Sequence, residues 1–81
     1  MAPLIIEIQS PGTGHVDARR KKEIYRRFGV REYWIVEPVE KKVEIYILQG
    51  GRYNLEGVYT DQDTVECKAI RGLLVPLAEV F

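Results

Sequence analysis

Two rhythms of apolar and polar positions divide this chain. Residues 4–9, "LIIEIQ", are β-rich and nearly continuous in apolarity, a pattern that predicts a strand covered on both faces. With a period of two, Leu4, Ile6 and Ile8 point one way, and Ile5, Glu7 and Gln9 point the other. "SPGTGH" then interrupts with a proline and two glycines, a loop able to bring the strand's carboxyl end close to a helix start. From about Val16 to Phe28 the spacing changes to three and four. Asp17, Lys21, Ile24, Tyr25 and Phe28 share one stripe, so Asp17 and Lys21 extend an apolar face toward the helix's N-terminal end. Gly29 follows as a natural stop.

Strand rhythm returns afterwards. "EYWIV" (32–36), "VEIYIL" (43–48), "RYNLEGVY" (52–59) and "TVECKAI" (64–70) are the expected strands, with "EPVEKK" as a turn and "QGG" closing an antiparallel hairpin. The apolar tail "LLVPLAEVF" is expected to dock against the sheet. Tyr33, Tyr46, Tyr53, Tyr59 and Trp34 read as packing residues, and Cys67, alternating with charges, as half-buried. The order β-α-β-β-β-β predicts an α/β fold (α+β by stricter labels): a mixed β-sheet with one main helix.

Size and composition add bounds. A chain of 81 residues is expected to form a single domain over 1–81, and one this small buries only about 60% of the surface its unfolded form exposes. The apolar share of 46% and charged share of 30% are those of a folded globular protein. A net charge of zero gives no case for bulk attraction to nucleic acid or acidic membranes, so any such contact must rest on local clustering. The lone Cys67 suits a reducing compartment, and the opening "MAPLIIEIQS" is too short in apolar residues to span a bilayer or act as a secretory core. A cytoplasmic location with no membrane segment is expected. His15, in the loop, is no convincing metal ligand, and Cys67 has no histidine motif to activate it.

The candidate chemistry lies in Glu7. A carboxylate on a central strand is costly to bury unless a cation compensates it. Glu7 followed two positions on by Gln9 is the geometry of an E-x-K or E-x-Q element. There the acid ligates Mg²⁺ and the third residue faces a reacting phosphate, while a lysine stabilises the charge that develops. Bland alternatives stand beside this reading. Glu7 could be a water-exposed strand carboxylate, and Lys21 could snorkel along apolar surface or pair with Asp17. The basic run Arg19, Arg20, Lys21, Lys22, Arg26, Arg27 could contact phosphates or be an ordinary solvated helix face.

The pattern "PLIIEIQSP…D…K…Y…GVREYWIVEP", closed by "LLVPLAEVF", resembles a family of Uma-type putative restriction endonucleases with the PD-(D/E)XK nuclease fold. The most specific parts are "EYWIVEP" and the D-x-x-x-K-x-x-x-Y spacing from Asp17 through Lys21 to Tyr25. The resemblance extends over essentially the whole chain and corresponds to the C-terminal half of the family's domain, so it implies a truncated restriction-endonuclease-like fold. It implies a metal-dependent DNA endonuclease, with Glu7 as catalytic acid and metal ligand and Lys21 as the migrated lysine. Gln9 stands at the usual lysine position and Asp17 one helical turn before Lys21. Tyr33 and Trp34 match the family's sheet aromatics, while Glu37 replaces the more usual aspartate before Pro38. The implied cofactor is Mg²⁺ (or Mn²⁺), and the implied DNA contacts are Arg19, Arg20 and Lys22. The chain departs from the family in lacking the upstream strands and the P-D aspartate that is the first metal ligand; "APL" stands where P-D-L is common. A homodimer, or a complex with a complementing N-terminal half, is therefore expected. The alternative is a non-catalytic oligomerisation or nucleic-acid-binding remnant of the nuclease fold.

Overall fold

The computed structural model of the chain describes residues 3–9 and 14–81, with the backbone alone for residues 14–19. Strand β1 (Leu4–Ile8) leads to helix α1 (Gly14–Arg27), and then to β2 (Glu32–Glu37), β3 (Lys42–Gln49) and β4 (Arg52–Thr60). Two short strands, β5 (Thr64–Glu66) and β6 (Leu74–Pro76), and a 3₁₀ turn (Leu77–Glu79) complete the chain. The expected breaker loop at 10–13 lies outside the described residues, whereas His15, read as a loop residue, belongs to α1.

A mixed four-stranded sheet runs β1-β2-β3-β4. Strand β1 is parallel to β2, with Ile5 opposite Tyr33 and Glu7 opposite Ile35. The parallel pair requires the crossover that α1 supplies. Strands β2, β3 and β4 form an antiparallel meander. Its second turn is Gly50-Gly51, both at positive φ (61° and 79°), which closes Gln49 against Arg52 as a two-residue hairpin whose twist matches the strands.

Helix α1 ends as its sequence requires. Gly29 adopts φ 70° and donates its N–H to the Arg26 carbonyl at 3.1 Å, while the Val30 N–H reaches back to Tyr25 at 3.0 Å. This double closure satisfies carbonyls that the last turn leaves open, and Val30 is buried beside it. Arg26 and Arg27 occupy that turn, where the helix dipole favours cations.

The two sheet faces are unlike. Under α1 lies a carpet of tyrosines: Tyr33 packs edge-on to Tyr25 at 5.3 Å between centroids, and its ring also meets Tyr46 at 6.2 Å and Tyr53 at 5.9 Å. The opposite face carries the apolar core of Trp34, Val36, Val43, Ile45, Val65, Cys67 and Leu77. The β5–β6 ribbon and the tail cover it, so the expected docking of the tail is what the structure has, with β6 as an added strand.

Three expectations are corrected. Strand β1 is an edge strand rather than one covered on both faces: among the described residues it pairs only with β2, and Ile6 and Ile8 remain 49% and 69% exposed. The core on that face is built on β2 and β3, and Leu4 at the start of β1 packs against it. Ile24 and Phe28 do not point into the core, because the tyrosines fill the space under the helix and leave both exposed on its β1 side. The strand expected over 64–70 stops at Glu66, and Cys67 is fully buried rather than half-buried.

Glu32 explains that early stop. It is 0% exposed, and its carboxylate accepts the Trp34 indole N–H and the backbone N–H groups of Lys68 and Ala69, both at 2.9 Å. Those amides are turned toward the carboxylate and cannot serve a strand ladder. A buried anion is tolerated here because three donors surround it.

Candidate functional site

Glu7 lies next to the carboxyl end of β1 and projects to the helix side, since it shares a face with Ile5 and Tyr33. One turn of α1 brings two donors to it. Lys21 Nζ lies 3.1 Å from Glu7 Oε2, and the Tyr25 hydroxyl donates to Glu7 Oε1. Lys21 and Tyr25 can meet one carboxylate because residues four apart lie above each other on a helix. The acid and the lysine, fourteen positions apart in sequence, thus form one site across the β1–α1 crossover.

The electrostatics are those of a held, ionised acid. Burial pushes the Glu7 carboxyl up, but the Tyr25 and Lys21 hydrogen bonds and the Lys21 charge outweigh it and leave the group below its usual range. The Tyr25 phenol is pushed up to about 12, first by burial and then by donating to Glu7. At neutral pH Glu7 is therefore a carboxylate and Tyr25 a neutral phenol. Glu7 is 21% exposed and Lys21 46%, so a ligand can reach both from solvent.

Against this geometry stands one comparison with known proteins. A family model described as Uma2, putative restriction endonuclease, matches residues 2–78. The chain belongs to the Uma2 family. A search of functionally curated proteins finds no match.

Within this Uma2 chain the other expected site residues fall in different places. Gln9 is half-buried on the Glu7 side of the sheet, and its backbone N–H bonds to the Val36 carbonyl at 2.9 Å. Asp17 and Arg19 lie on α1, but their side chains are outside the described residues. Arg20 is exposed. Lys22 is not on a solvated face: its ammonium sits 3.7 Å above the Tyr46 ring, and burial lowers its pKa despite Glu44 nearby. The basic run is thus split around the helix, with Lys21 on the β1 side and Lys22 over β3.

Sequence reasoning missed two features of the site's surroundings. Tyr25 belongs to the D-x-x-x-K-x-x-x-Y pattern but had no role at the site assigned to it, although its position four residues after Lys21 was the available signal. Arg52, at the start of β4, joins the helix cations only through the sheet topology and had no sequence signal.

A divalent ion needs more than this site displays. Among the described residues no three or more His, Cys, Asp or Glu side chains come close enough to hold a metal. The one carboxylate present has a protein donor on each oxygen, one of them an ammonium. Mg²⁺ demands near-octahedral oxygen ligands, and the described donor set does not fit it unaided. Among the described residues no helix is long and apolar enough to cross a membrane.

Proposed function

We propose that this chain carries the acid and lysine of a DNA phosphodiester-cleaving site. Glu7 is the acid, and Lys21 is the charge that steadies the phosphorane-like transition state. Tyr25 is a positioning residue that keeps Glu7 ionised and fixed in rotamer. The observation that supports this reading is the Glu7–Lys21 pair at 3.1 Å, built across two elements of a Uma2 family chain. A fixed ammonium beside a partly open acid can take charge from a scissile phosphate without having to move far. Gln9, on the same side of β1, is proposed as a secondary site residue. Asp17, one helical turn before Lys21, is proposed as a helper for it.

The expected Mg²⁺ or Mn²⁺ belongs to the proposal only with further acids, because Glu7 alone does not make its coordination sphere. We propose that these acids come from a second copy of the chain or from a complementing N-terminal half. The open outer edge of β1, beside Glu7, is a natural place for added backbone. A second reading is a non-catalytic nucleic-acid-binding or oligomerisation module. It is favoured by the same contacts, since the ammonium and phenol already satisfy both oxygens of Glu7.

Cleavage of plasmid DNA with Mn²⁺ or Mg²⁺, run beside calorimetry of metal binding, separates the two. The nuclease reading expects cleavage that falls on the order of 10²-fold or more in both Glu7→Gln and Lys21→Met. Absence of cleavage together with absence of metal uptake in the wild type sinks a nuclease built from this chain alone, and the same absence after adding the complementing N-terminal half leaves the binding module.

A further inference from the structure

On the flank of α1 opposite Glu7, a groove of about 280 Å³ is lined by Lys22, Glu23, Arg26, Arg52 and Tyr53. Strand order places it on the far side of the helix: Glu7 belongs to edge strand β1, whereas Arg52 and Tyr53 belong to the other edge strand, β4. Three cations face one carboxylate in this groove, although the chain's net charge is zero.

Each cation is held for a different reason. Arg26 Nε and Nη2 grip Glu23 at 3.0 and 2.5 Å, which fixes the guanidinium plane and leaves its other N–H groups for a ligand. Lys22 is seated on the Tyr46 ring and half-buried, so its position is set by packing rather than by solvent. Arg52 is exposed, follows directly on the Gly50-Gly51 turn, and makes no ion pair with any described residue. Tyr53 spends its hydroxyl on the Val30 carbonyl at 2.6 Å, so it offers the groove an aromatic wall rather than a donor.

We infer that this groove binds the phosphate backbone of nucleic acid, and that Arg52, Arg26 and Lys22 are its phosphate contacts. The inference rests on the nuclease reading and deepens it by giving the substrate a second place of attachment. Arginine forks suit phosphate oxygens. An α-helix with its side chains is about 10–12 Å across, and successive phosphates of one strand advance about 3.4 Å along a duplex axis. A strand lying across α1 therefore reaches from the groove to Lys21 and Glu7 within about three or four phosphates. Contacts to phosphates carry no base information, so the binding they supply is independent of DNA sequence.

Fluorescence anisotropy with a labelled random-sequence duplex of about 20 base pairs, titrated at several salt concentrations, is the test. Arg52→Gln is the primary variant because its side chain is exposed and its removal leaves the core intact. The expected result is weaker binding, with a log-affinity against log-salt slope shallower by about 0.9. The wild-type advantage over the variant then narrows roughly three-fold between 50 and 200 mM salt. Glu7→Gln retains duplex binding while losing cleavage. If wild type binds DNA but Arg52→Gln shows the same affinity and slope, the groove is overturned and the nuclease reading survives. If wild type binds no DNA, both fall. Displacement of the duplex by poly-glutamate at equal charge concentration overturns the phosphate assignment in favour of an acidic protein partner.

Discussion

Replacing Tyr25 by Phe removes one oxygen and tests the central contact of the site. The ring stays, so its edge-on packing against Tyr33 at 5.3 Å should persist. What is lost is the hydroxyl that donates to Glu7 Oε1. Hydrogen bonds to charged groups contribute about 1.5–3 kcal/mol when deleted. Here the loss falls at or just below that range, about 1–1.5 kcal/mol, because Glu7 is 21% exposed and water can take the vacated place. Lys21 remains as the other donor, but at 46% exposure its ion pair is worth no more than about 1 kcal/mol.

The pH dependence gives the sharper readout. In the wild type the folded Glu7 carboxyl lies below its ordinary value, despite burial, because Tyr25 and Lys21 favour its ionised form. A depressed folded value means the contribution is fully present above the unfolded carboxyl pKa and is lost as pH falls through the folded one. Tyr25→Phe removes the largest single effect that opposes burial, so the Glu7 midpoint rises and the stability it provides shrinks. Carbon-13 NMR titration of the Glu7 carboxyl, with urea unfolding from pH 7 down to 3, measures both. An unchanged Glu7 midpoint in Tyr25→Phe, with less than about 0.5 kcal/mol lost at pH 7, would refute the reasoning that Tyr25 holds this acid.

Two further outcomes are expected. Glu32→Ala strands the Trp34 indole and the Lys68 and Ala69 amides without their acceptor, and should cost about 3–5 kcal/mol by urea unfolding. Against roughly 4–12 kcal/mol for a chain of this size, that leaves the variant at the margin of folding; a loss under 1 kcal/mol would mean that water serves these donors equally well. Tyr33→Phe should be neutral or stabilising by up to about 1 kcal/mol, because the Tyr33 hydroxyl is buried with no hydrogen-bond partner among the described residues. A clear loss in the same assay would show that the hydroxyl has a partner.

How much of this was readable beforehand depended on how local the physics was. The strand and helix rhythms, the Gly29 stop and the Gly-Gly hairpin follow from neighbours in sequence, and the structure has them within a few residues. The pairing of Glu7 with Lys21 was readable through the family pattern that the chain shares, and its geometry is now explicit. Other features needed contacts that no window of sequence contains. Glu32 looks like an ordinary exposed strand residue, because its donors at Lys68 and Ala69 lie 36 and 37 positions away. Lys22 and Arg52 share a groove only because β4 folds back along the sheet beneath α1.

The sequence by itself therefore determined the elements up to β4, their order and which residues carry charge, because turn chemistry and side-chain period act over a few residues. Only the tertiary structure decided that β1 is an edge, that Lys21 and Lys22 turn to different strands, and that Glu7 meets the helix lysine while Glu32 is locked in the core. Burial and pairing are sums over distant segments. A carboxylate's role is set by the donors that folding brings to it, and those are not its neighbours in the chain.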